Sequence, residues 1–288
     1  MQNAVEGTDV RERLRSLVPR LSCPACGAPL RLAGDDFVGD DCGHRYPIRD
    51  GIAELALVGT AETWGEAPVG PTSARYQKNY HEVAAAESYD RGYREKPLKR
   101  LSTARERRLL RRLLATQGHS DALLNLPCGG GRLSDVLAES TDLLLEADIA
   151  RGQLRYGARR RVWATPEIRM TASAFHIPFR DRAVSGTVCI RLCHHLPTAA
   201  ERRRLLGELL RVSERFVLMT FFDFRSLKNL LRRAESRFTD KAPKHTMRVE
   251  EVEAIAAANG FAVEACPALS IVGSGHRYAL LRRRGVGA

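Results

Sequence analysis

The sequence lacks any long hydrophobic run. Across its 288 residues no apolar stretch approaches the ~18–20 residues that a membrane span requires, so we expect no transmembrane segment. The N-terminus also lacks the apolar core of a secretion signal, and residues 9–20 instead show a charged helical pattern that ends near Pro19. These two absences predict a cytoplasmic protein.

A paired set of cysteines is also missing. The chain has 7 cysteines, an odd number, and three of them lie near the N-terminus. This pattern favours a reducing compartment and a metal site over a disulfide framework. Hydrophobic residues make up 44% of the chain, which is normal for a globular protein and allows a sizeable core.

Acidic residues are in deficit. The chain holds 46 Lys and Arg against 34 Asp and Glu, a net charge of +12. Arginine binds phosphate in a bidentate way, so these side chains suit nucleic acid or an anionic small molecule. The alternative is that they lie on solvated helix faces. The arginine clusters are residues 105–112, 159–161, 202–204 and 282–284.

The most informative stretch is residues 122–138, where an apolar run is followed by three glycines and a helical pattern. Glycine lets the backbone approach a nucleotide-like ligand, and the helix behind the turn offers free N–H groups. A second apolar strand, residues 143–148, ends in Asp148. A carboxylate at that point accepts hydrogen bonds from ribose hydroxyls. The glycine turn and the acid together predict a nucleoside site.

From residue 122 onward strand and helix patterns alternate. This alternation predicts an α/β fold, with a parallel sheet and helices on both faces, and a ligand at the carboxyl ends of the strands. The predicted strands are residues 122–127, 142–148, 167–171, 184–190, 214–222, 261–265 and 277–283. The predicted helices are residues 131–139, 151–160, 199–211, 225–236 and 248–259.

Three regions are predicted along the chain. Residues 1–57 form an N-terminal helix and a small β module, residues 58–74 are a linker rich in Gly, Pro, Thr and Ala, and residues 75–288 form the α/β domain. A tyrosine-rich segment, residues 76–93, precedes a helical run at residues 101–114. Its tyrosines either pack in the core or cover the ligand pocket.

Four motifs resemble, in order and spacing, those of class I S-adenosylmethionine-dependent methyltransferases. The most similar subgroup looks like the ubiquinone and menaquinone biosynthesis enzymes, which act on small molecules. The resemblance spans residues 75–285 and implies a Rossmann-like seven-stranded sheet whose last strand is reversed. The motifs are residues 125–131, Asp148, residues 173–179 and residues 189–196.

The resemblance also implies a set of residues that bind S-adenosylmethionine. They are Gly129 and Gly131 for the methionine part, Asp148 for the ribose, Ile149, Ala174 and Phe175 for the adenine, and Arg191 near the sulfonium or the substrate.

Three positions depart from the family's usual residues. Asn125 stands where an acid is usual, and it keeps hydrogen bonding but brings no charge to the cofactor ammonium. Pro127 replaces a glycine and removes a backbone donor. Ser173 replaces an aspartate that often meets the adenine amino group. These departures are also compatible with a non-catalytic protein that has kept the fold.

Methyl transfer is an in-line displacement, which needs alignment above all. A general base is needed only where the nucleophile arrives protonated, and His194 and His195, after the fourth strand, are the candidates. The alternative is that one histidine caps the turn and the other packs beneath the sheet. Cys189 and Cys193 are expected to be core residues.

The N-terminal region carries a Cys-x-x-Cys-Gly knuckle at Cys23 and Cys26, which aims two thiolates at one Zn²⁺. Residues 41–52 resemble the second half of a zinc ribbon, as in small partner proteins and N-terminal modules of some methyltransferases. The usual second knuckle has a cysteine where this chain has Gly39. The candidate ligands are therefore Cys23, Cys26 and Cys42, with His44, Asp40 or Asp41 as the fourth. The alternative is a ribbon that has lost its metal.

Residues 221–245 form an insertion that, in this fold, covers the substrate mouth, and its basic charge suggests an anionic acceptor. The leading hypothesis is methyl transfer to a small molecule, such as a lipid or a secondary metabolite. The first alternative is an RNA methyltransferase, because the zinc module and the positive charge suit RNA. Against it, the Asn/Asp-Pro-Pro-aromatic motif of many base methylases is missing. The oligomeric state stays open.

Overall fold

The structure, a computed structural model, describes residues 11–57, 82–236, 238, 245–271 and 273–285. The predicted linker at residues 58–74 and the tyrosines at positions 76 and 80 lie outside the described residues. Among the helices that are described, none has both the length and the apolar character needed to cross a bilayer.

The elements alternate as the sequence predicts. The strands are β1 (Leu30–Ala33), β2 (Asp36–Gly39), β3 (Arg45–Arg49), β4 (Ile52–Glu54), β5 (Leu123–Asn125), β6 (Leu144–Asp148), β7 (Glu167–Thr171), β8 (Val184–Cys189), β9 (Ser213–Phe222), β10 (Phe261–Ala265) and β11 (His276–Arg283). The helices are α1 (residues 11–17), α2 (Val83–Glu95), α3 (Pro97–Ala115), α4 (Ser134–Ala138), α5 (Arg151–Arg159), α6 (Ala199–Val212), α7 (Leu227–Glu235) and α8 (Val249–Ala258).

The central sheet has the strand order β7-β6-β5-β8-β9-β11-β10. Strands β5 to β9 pair in parallel, whereas β11 runs antiparallel to both β9 and β10. The Rossmann-like seven-stranded sheet with a reversed last strand is therefore confirmed. The order reverses at β5, so the carboxyl end of this strand is a topological switch point.

Side chains of the central strands alternate between two hydrophobic cores. Leu124 and Leu145 face the core that contains Leu209 of α6. Leu123 and Leu144 face the second core, with Leu114 of α3. Both faces of the sheet are therefore covered by helices, which explains why β5 and β6 read as continuous apolar runs.

The N-terminal strands continue the same sheet. Strands β1 to β4 form an antiparallel meander, and β4 then pairs in parallel with β7, with Ala53 opposite Met170. Asp50, in the β3–β4 turn, forms ion pairs with Arg151 and Arg155 of α5. The module thus covers an edge of the sheet that would otherwise present unpaired backbone groups.

The contact between β8 and β9 yields a test of the fold. A Cβ built at Gly186 would lie 2.4 Å from the ring of Phe216 on the neighbouring strand. We expect Gly186→Ala to lower the free energy of unfolding by about 1–3 kcal/mol, because this core cannot expand freely. Thermal and urea unfolding measure the change.

Gly207 is the matched control. It lies in α6, and a Cβ there meets no atom within 4 Å. Gly207→Ala should therefore raise stability by up to about 1 kcal/mol through helix propensity. Equal effects of the two alanines would contradict the packing described at β8 and β9.

Candidate active site

The carboxyl ends of β5, β6 and β8 and the segment after β7 surround a cavity of about 630 Å³. This volume is typical of cofactor and small-molecule sites. Ten of the residues predicted from the sequence line this cavity: Asn125, Pro127, Gly129, Asp148, Ile149, Ala174, Phe175, Arg191, His194 and His195. Gly131 is not among the lining residues, since a Cβ there would face Ser134 and Gly157.

The turn after β5 brings backbone into the cavity wall. Gly129 has φ +55°, a left-handed conformation that favours glycine, and its N–H donates to Asp148 at 2.9 Å. At Gly130 an added Cβ would lie 2.7 Å from the ring of Tyr156, so the turn packs tightly on α5. The turn therefore has little room for side chains on its α5 side and is held to the end of β6.

Asp148 is fully buried at the end of β6 and lines the cavity. Burial raises the pKa of its carboxyl to about 6, although N–H groups of Ala150, Gly129 and Ile149 oppose this increase. The carboxylate accepts hydrogen bonds from Gly129 and Ala150, each at 2.9 Å. At neutral pH it is therefore a charged, oriented acceptor beside the glycine turn.

A second buried carboxyl lies beside Asn125. The side-chain amide of Asn125 donates to Glu146 on β6 at 3.1 Å. Burial raises the pKa of Glu146 to about 7. Glu146 therefore orients Asn125, with the amide nitrogen turned towards Glu146.

One buried acid, Glu106 of α3, joins Arg132, Arg191 and Tyr278. We call the part of the cavity wall that contains the two arginines the far wall. Glu106 of α3 has no solvent exposure and pairs with Arg132 at 2.5 Å and with Arg191 at 3.2 Å. It also accepts a hydrogen bond from Tyr278 on β11. Burial by itself would raise the pKa of Glu106, but the two guanidinium groups and the phenol lower it to about 2.

Helix α2 contributes lining residues that the motif analysis did not assign. Tyr89, Asp90 and Tyr93 line the cavity. Asp90 accepts a hydrogen bond from Tyr156 at 3.0 Å, which ties α2 to α5. The sequence predicted that the tyrosines of this segment either pack in the core or cover the ligand pocket. For Tyr89 and Tyr93 the structure supports the second alternative.

Gln153 of α5 was also missed by the sequence analysis. It is 1% exposed and lines the cavity. Within the described part of the chain its Oε1 atom has no hydrogen-bond partner, and it lies beside the turn, 3.3 Å from a Cβ built at Gly130. No motif marks this glutamine, since only the packing of α5 against the turn brings it to the cavity.

The two predicted base candidates lie in a short turn after β8. His194 is half-buried, and its ring centroid lies 4.2 Å from that of His195 and 4.4 Å from that of Phe222. His276 of β11 lies 5.2 Å from His194. Burial, assisted by the charge of Arg191, lowers the pKa of His276 to about 3, so its imidazole is neutral.

The two cysteines near this turn belong to the core. Cys189 and Cys193 are buried among apolar side chains. Burial raises the pKa of each thiol, to about 12 for Cys193. Both remain protonated at neutral pH, as expected for structural residues.

Away from the cavity, the four predicted metal ligands come together in the N-terminal module. One ligand atom from each of Cys23, Cys26, Cys42 and His44 lies within 4.8 Å of all the others. Cys23 is 3.0 Å from the phenol of Tyr46. Burial would raise the pKa of Cys23, but the hydrogen bonds with Tyr46, the backbone and His44 lower it to about 7.

A comparison with models of known protein families matches one segment of the chain. Residues 124–215 match the family model described as a methyltransferase domain. The segment from β5 to the start of β9 therefore matches a methyltransferase domain. No curated protein matches the sequence of the chain.

Solved structures share the fold of the methyltransferase at low sequence identity. Magnesium protoporphyrin IX methyltransferase from Synechocystis, with bound S-adenosylhomocysteine, has a TM-score of 0.62 at 14% identity and covers 73% of this chain and 99% of its own. The N-methyltransferase NodS from Bradyrhizobium japonicum has a TM-score of 0.51 at 12% identity and covers 75% of this chain and 100% of its own.

A third structure contains a methyltransferase in complex with the Trm112 methyltransferase activator of Haloferax volcanii. Its TM-score is 0.53 at 12% identity, with 69% of this chain and 96% of that chain covered. At these identities the three structures show the fold of the chain alone.

The buried acid in the far wall is directly testable. We expect Glu106→Gln to lower the free energy of unfolding by about 3–5 kcal/mol, because it leaves two largely buried guanidinium groups without a counter-charge. Since the folded pKa is lowered to about 2, the stabilisation by Glu106 is complete above the ordinary carboxyl range. It is lost as the pH falls towards 2. Urea unfolding at several pH values measures both effects.

Glu139→Gln is the matched control. Glu139 pairs with Arg111 of α3 at 2.7 Å, but its side chain is 51% exposed. We expect its loss to cost less than about 1 kcal/mol, as for other surface ion pairs. A similar cost for both glutamines would show that the Glu106 cluster is not a desolvated network.

Proposed function

We propose that the protein transfers a methyl group from S-adenosylmethionine to a small anionic acceptor. The observation that carries this proposal is the convergence of ten predicted site residues on one cavity whose far wall is cationic. The fold alone supports the reaction class. The acceptor class is argued from the side chains below.

The residues of the cavity suit the cofactor. The Gly129 turn forms a cradle that bulkier residues would narrow, and Asp148 is a buried acceptor for two ribose hydroxyls. Ile149, Ala174 and Phe175 supply apolar walls for the adenine. The ribose and the adenine of the cofactor therefore have chemically matched neighbours at this edge of the sheet.

At position 125 the chain has an asparagine in place of the family's usual acid, and two neutral amide oxygens are available to bind the cofactor ammonium. Because its amide nitrogen donates to Glu146, the amide oxygen of Asn125 is left to accept from the cofactor ammonium. The Oε1 atom of Gln153, which has no hydrogen-bond partner among the described residues, is a second acceptor beside the same turn. Two amide oxygens can satisfy an ammonium group by hydrogen bonding without the charge of a carboxylate.

The bound cofactor supplies an electrophilic methyl group on a sulfonium. The protein's part is to hold the acceptor in line with it and to exclude water. His194, which lies between the cavity and Phe222, is placed to take a proton from an acceptor hydroxyl or amine. His276 stays neutral behind it and adds no charge to the site.

The far wall suggests the class of acceptor. Arg132 and Arg191 line the cavity, and among the described residues the buried acid that pairs with both is Glu106. One carboxylate against two guanidinium groups leaves this wall with net positive charge. A carboxylate, phosphate or enolate on the acceptor complements it.

The cofactor site is tested by Asp148→Ala. We expect the affinity for S-adenosylmethionine to fall about 100-fold, since two charge-assisted hydrogen bonds to the ribose are lost. Isothermal titration with S-adenosylmethionine and S-adenosylhomocysteine measures the change. Asp142→Ala, which removes an acid that is 72% exposed at the start of β6, is the control and should bind normally.

The same site predicts a pH dependence. The pKa of Asp148 is raised to about 6, so the carboxylate becomes protonated as the pH falls below that value. We expect the dissociation constant of the cofactor to rise about tenfold between pH 7 and pH 5. An affinity that is flat over this range, or normal affinity in the Asp148 variant, would refute the assignment.

The acceptor is tested by methyl transfer from radiolabelled S-adenosylmethionine. Small carboxylates, phosphates and acidic phenols are assayed beside total RNA. Label in small anions supports the proposal, whereas label in RNA assigns the alternative acceptor. Cofactor binding with no transfer to any acceptor would support the non-catalytic alternative.

We further propose that the N-terminal cluster binds a structural zinc ion through Cys23, Cys26, Cys42 and His44. A Cβ built at Gly39 would lie 2.3 Å from the sulfur of Cys42. The sulfur of Cys42 therefore takes the place of a side chain at position 39, where related ribbons carry a cysteine. Four protein ligands around one point are typical of a structural site with no open position.

Metal analysis of the purified protein tests the zinc proposal. We expect one equivalent of zinc, its loss in Cys42→Ser, and a Tm lowered by about 5 °C after chelation. Cys266→Ser is the control, because Cys266 lies outside the cluster. Zinc retained in Cys42→Ser would exclude this cysteine as a ligand, and a metal-free wild type would favour the ribbon that has lost its metal.

A further inference from the structure

Helix α7 is amphipathic in the opposite sense to an ordinary surface helix. Its inner face is polar: Asn229 is buried and donates to the backbone oxygen of Asp223 at 2.9 Å. Its outer face consists of leucines at helical spacing, Leu227, Leu230 and Leu231, which are 46%, 46% and 60% exposed. A surface helix normally turns its apolar stripe inward, so we expect the exposed apolar face of α7 to bind a partner.

The two arginines of α7 lie on the inner side and stack on aromatic rings. The guanidinium of Arg232 is 5.4 Å from the ring centre of Phe222, and that of Arg233 is 3.9 Å from that of Phe224. Phe222 in turn contacts His194, which lines the cavity. Helix α7 therefore lies beside the end of the cavity that holds His194, with its leucines turned outward.

A second exposed apolar pair lies at the start of α3. Leu98 is 82% exposed and Leu101 is 51% exposed, three residues apart on one side of the helix. Between them, Lys99 places its ammonium 4.5 Å from the ring centre of Tyr93, a residue of the cavity wall. Two apolar groups thus flank the same cavity, and we call Leu98, Leu101, Leu227, Leu230 and Leu231 the leucine rim.

Positive charge lies at the α3 end of the leucine rim. Residues 91–108, which carry Leu98 and Leu101, hold eight basic and two acidic side chains, and Lys96, Arg100 and Arg105 among them are exposed. This composition opposes pairing of two copies through the rim, because each would bring the same positive charge. Exposed leucines flanked by lysine and arginine are instead complementary to an anionic lipid surface, where each basic residue contributes about 1 kcal/mol.

We propose that the leucine rim docks the methyltransferase on an anionic phospholipid bilayer. The leucines enter the interface, and the exposed basic side chains of α3 contact lipid phosphates. The proposal deepens the proposed function, on which it rests only for the nature of the acceptor. With the cavity beside the docked face, a lipophilic anionic acceptor reaches the site directly from the lipid layer.

Cosedimentation of the full-length protein with vesicles tests this. We expect about tenfold more binding to phosphatidylcholine vesicles that contain phosphatidylglycerol than to phosphatidylcholine alone, and a decrease as salt is added. Leu230→Gln/Leu231→Gln should reduce binding to the anionic vesicles about tenfold. Val162→Gln is the control: its side chain is 84% exposed but precedes the amino end of β7, at the opposite edge of the sheet.

Two further measurements separate the outcomes. Cofactor titration of the leucine double variant should match the wild type, so a failure of the proposed cofactor site is distinguishable from a failure of docking. Light scattering after gel filtration reports self-association. No binding to anionic vesicles, equal binding by the leucine variant, or a dimer that this variant dissociates would overturn the proposal, and the last would assign the rim to a second copy of the chain.

Discussion

The active-site wall depends on one buried negative charge. Glu106 of α3 holds Arg132 after β5, Arg191 after β8 and Tyr278 of β11, three segments that are distant in sequence. A carboxylate without exposure is tolerated only when such partners surround it. The same interaction that closes the wall also orients two guanidinium groups along the cavity, so stability and electrostatic character are set together.

The N-terminal module is held in place because its strands continue the central sheet. Strand β4 adds to the edge at β7, and Asp50 pairs with Arg151 and Arg155 across the junction. The module is thereby attached by main-chain hydrogen bonds as well as by side chains. Its strands lie next to β7, beyond which Ala174 and Phe175 form the proposed adenine wall, so the module and the cavity share a supporting strand.

Local patterns were enough to predict the central elements. All seven strands of the central sheet and the five helices predicted after residue 122 are present, with their ends shifted by a few residues at most. Buried parallel strands and amphipathic helices have strong periodic signals, which is why these predictions are confirmed. The division into domains, and the roles of the motif residues, remain predictions.

The sequence by itself determined the order of strands and helices, the glycine turn followed by an acid, and the spacing of three candidate cysteine ligands. These features depend on spacing along the chain. Only the tertiary structure decided which distant side chains meet: the partners of Glu106, the approach of Gln153 to the turn, and the outward leucines of α7. No local pattern encodes such contacts, since they arise when separate elements pack against one sheet.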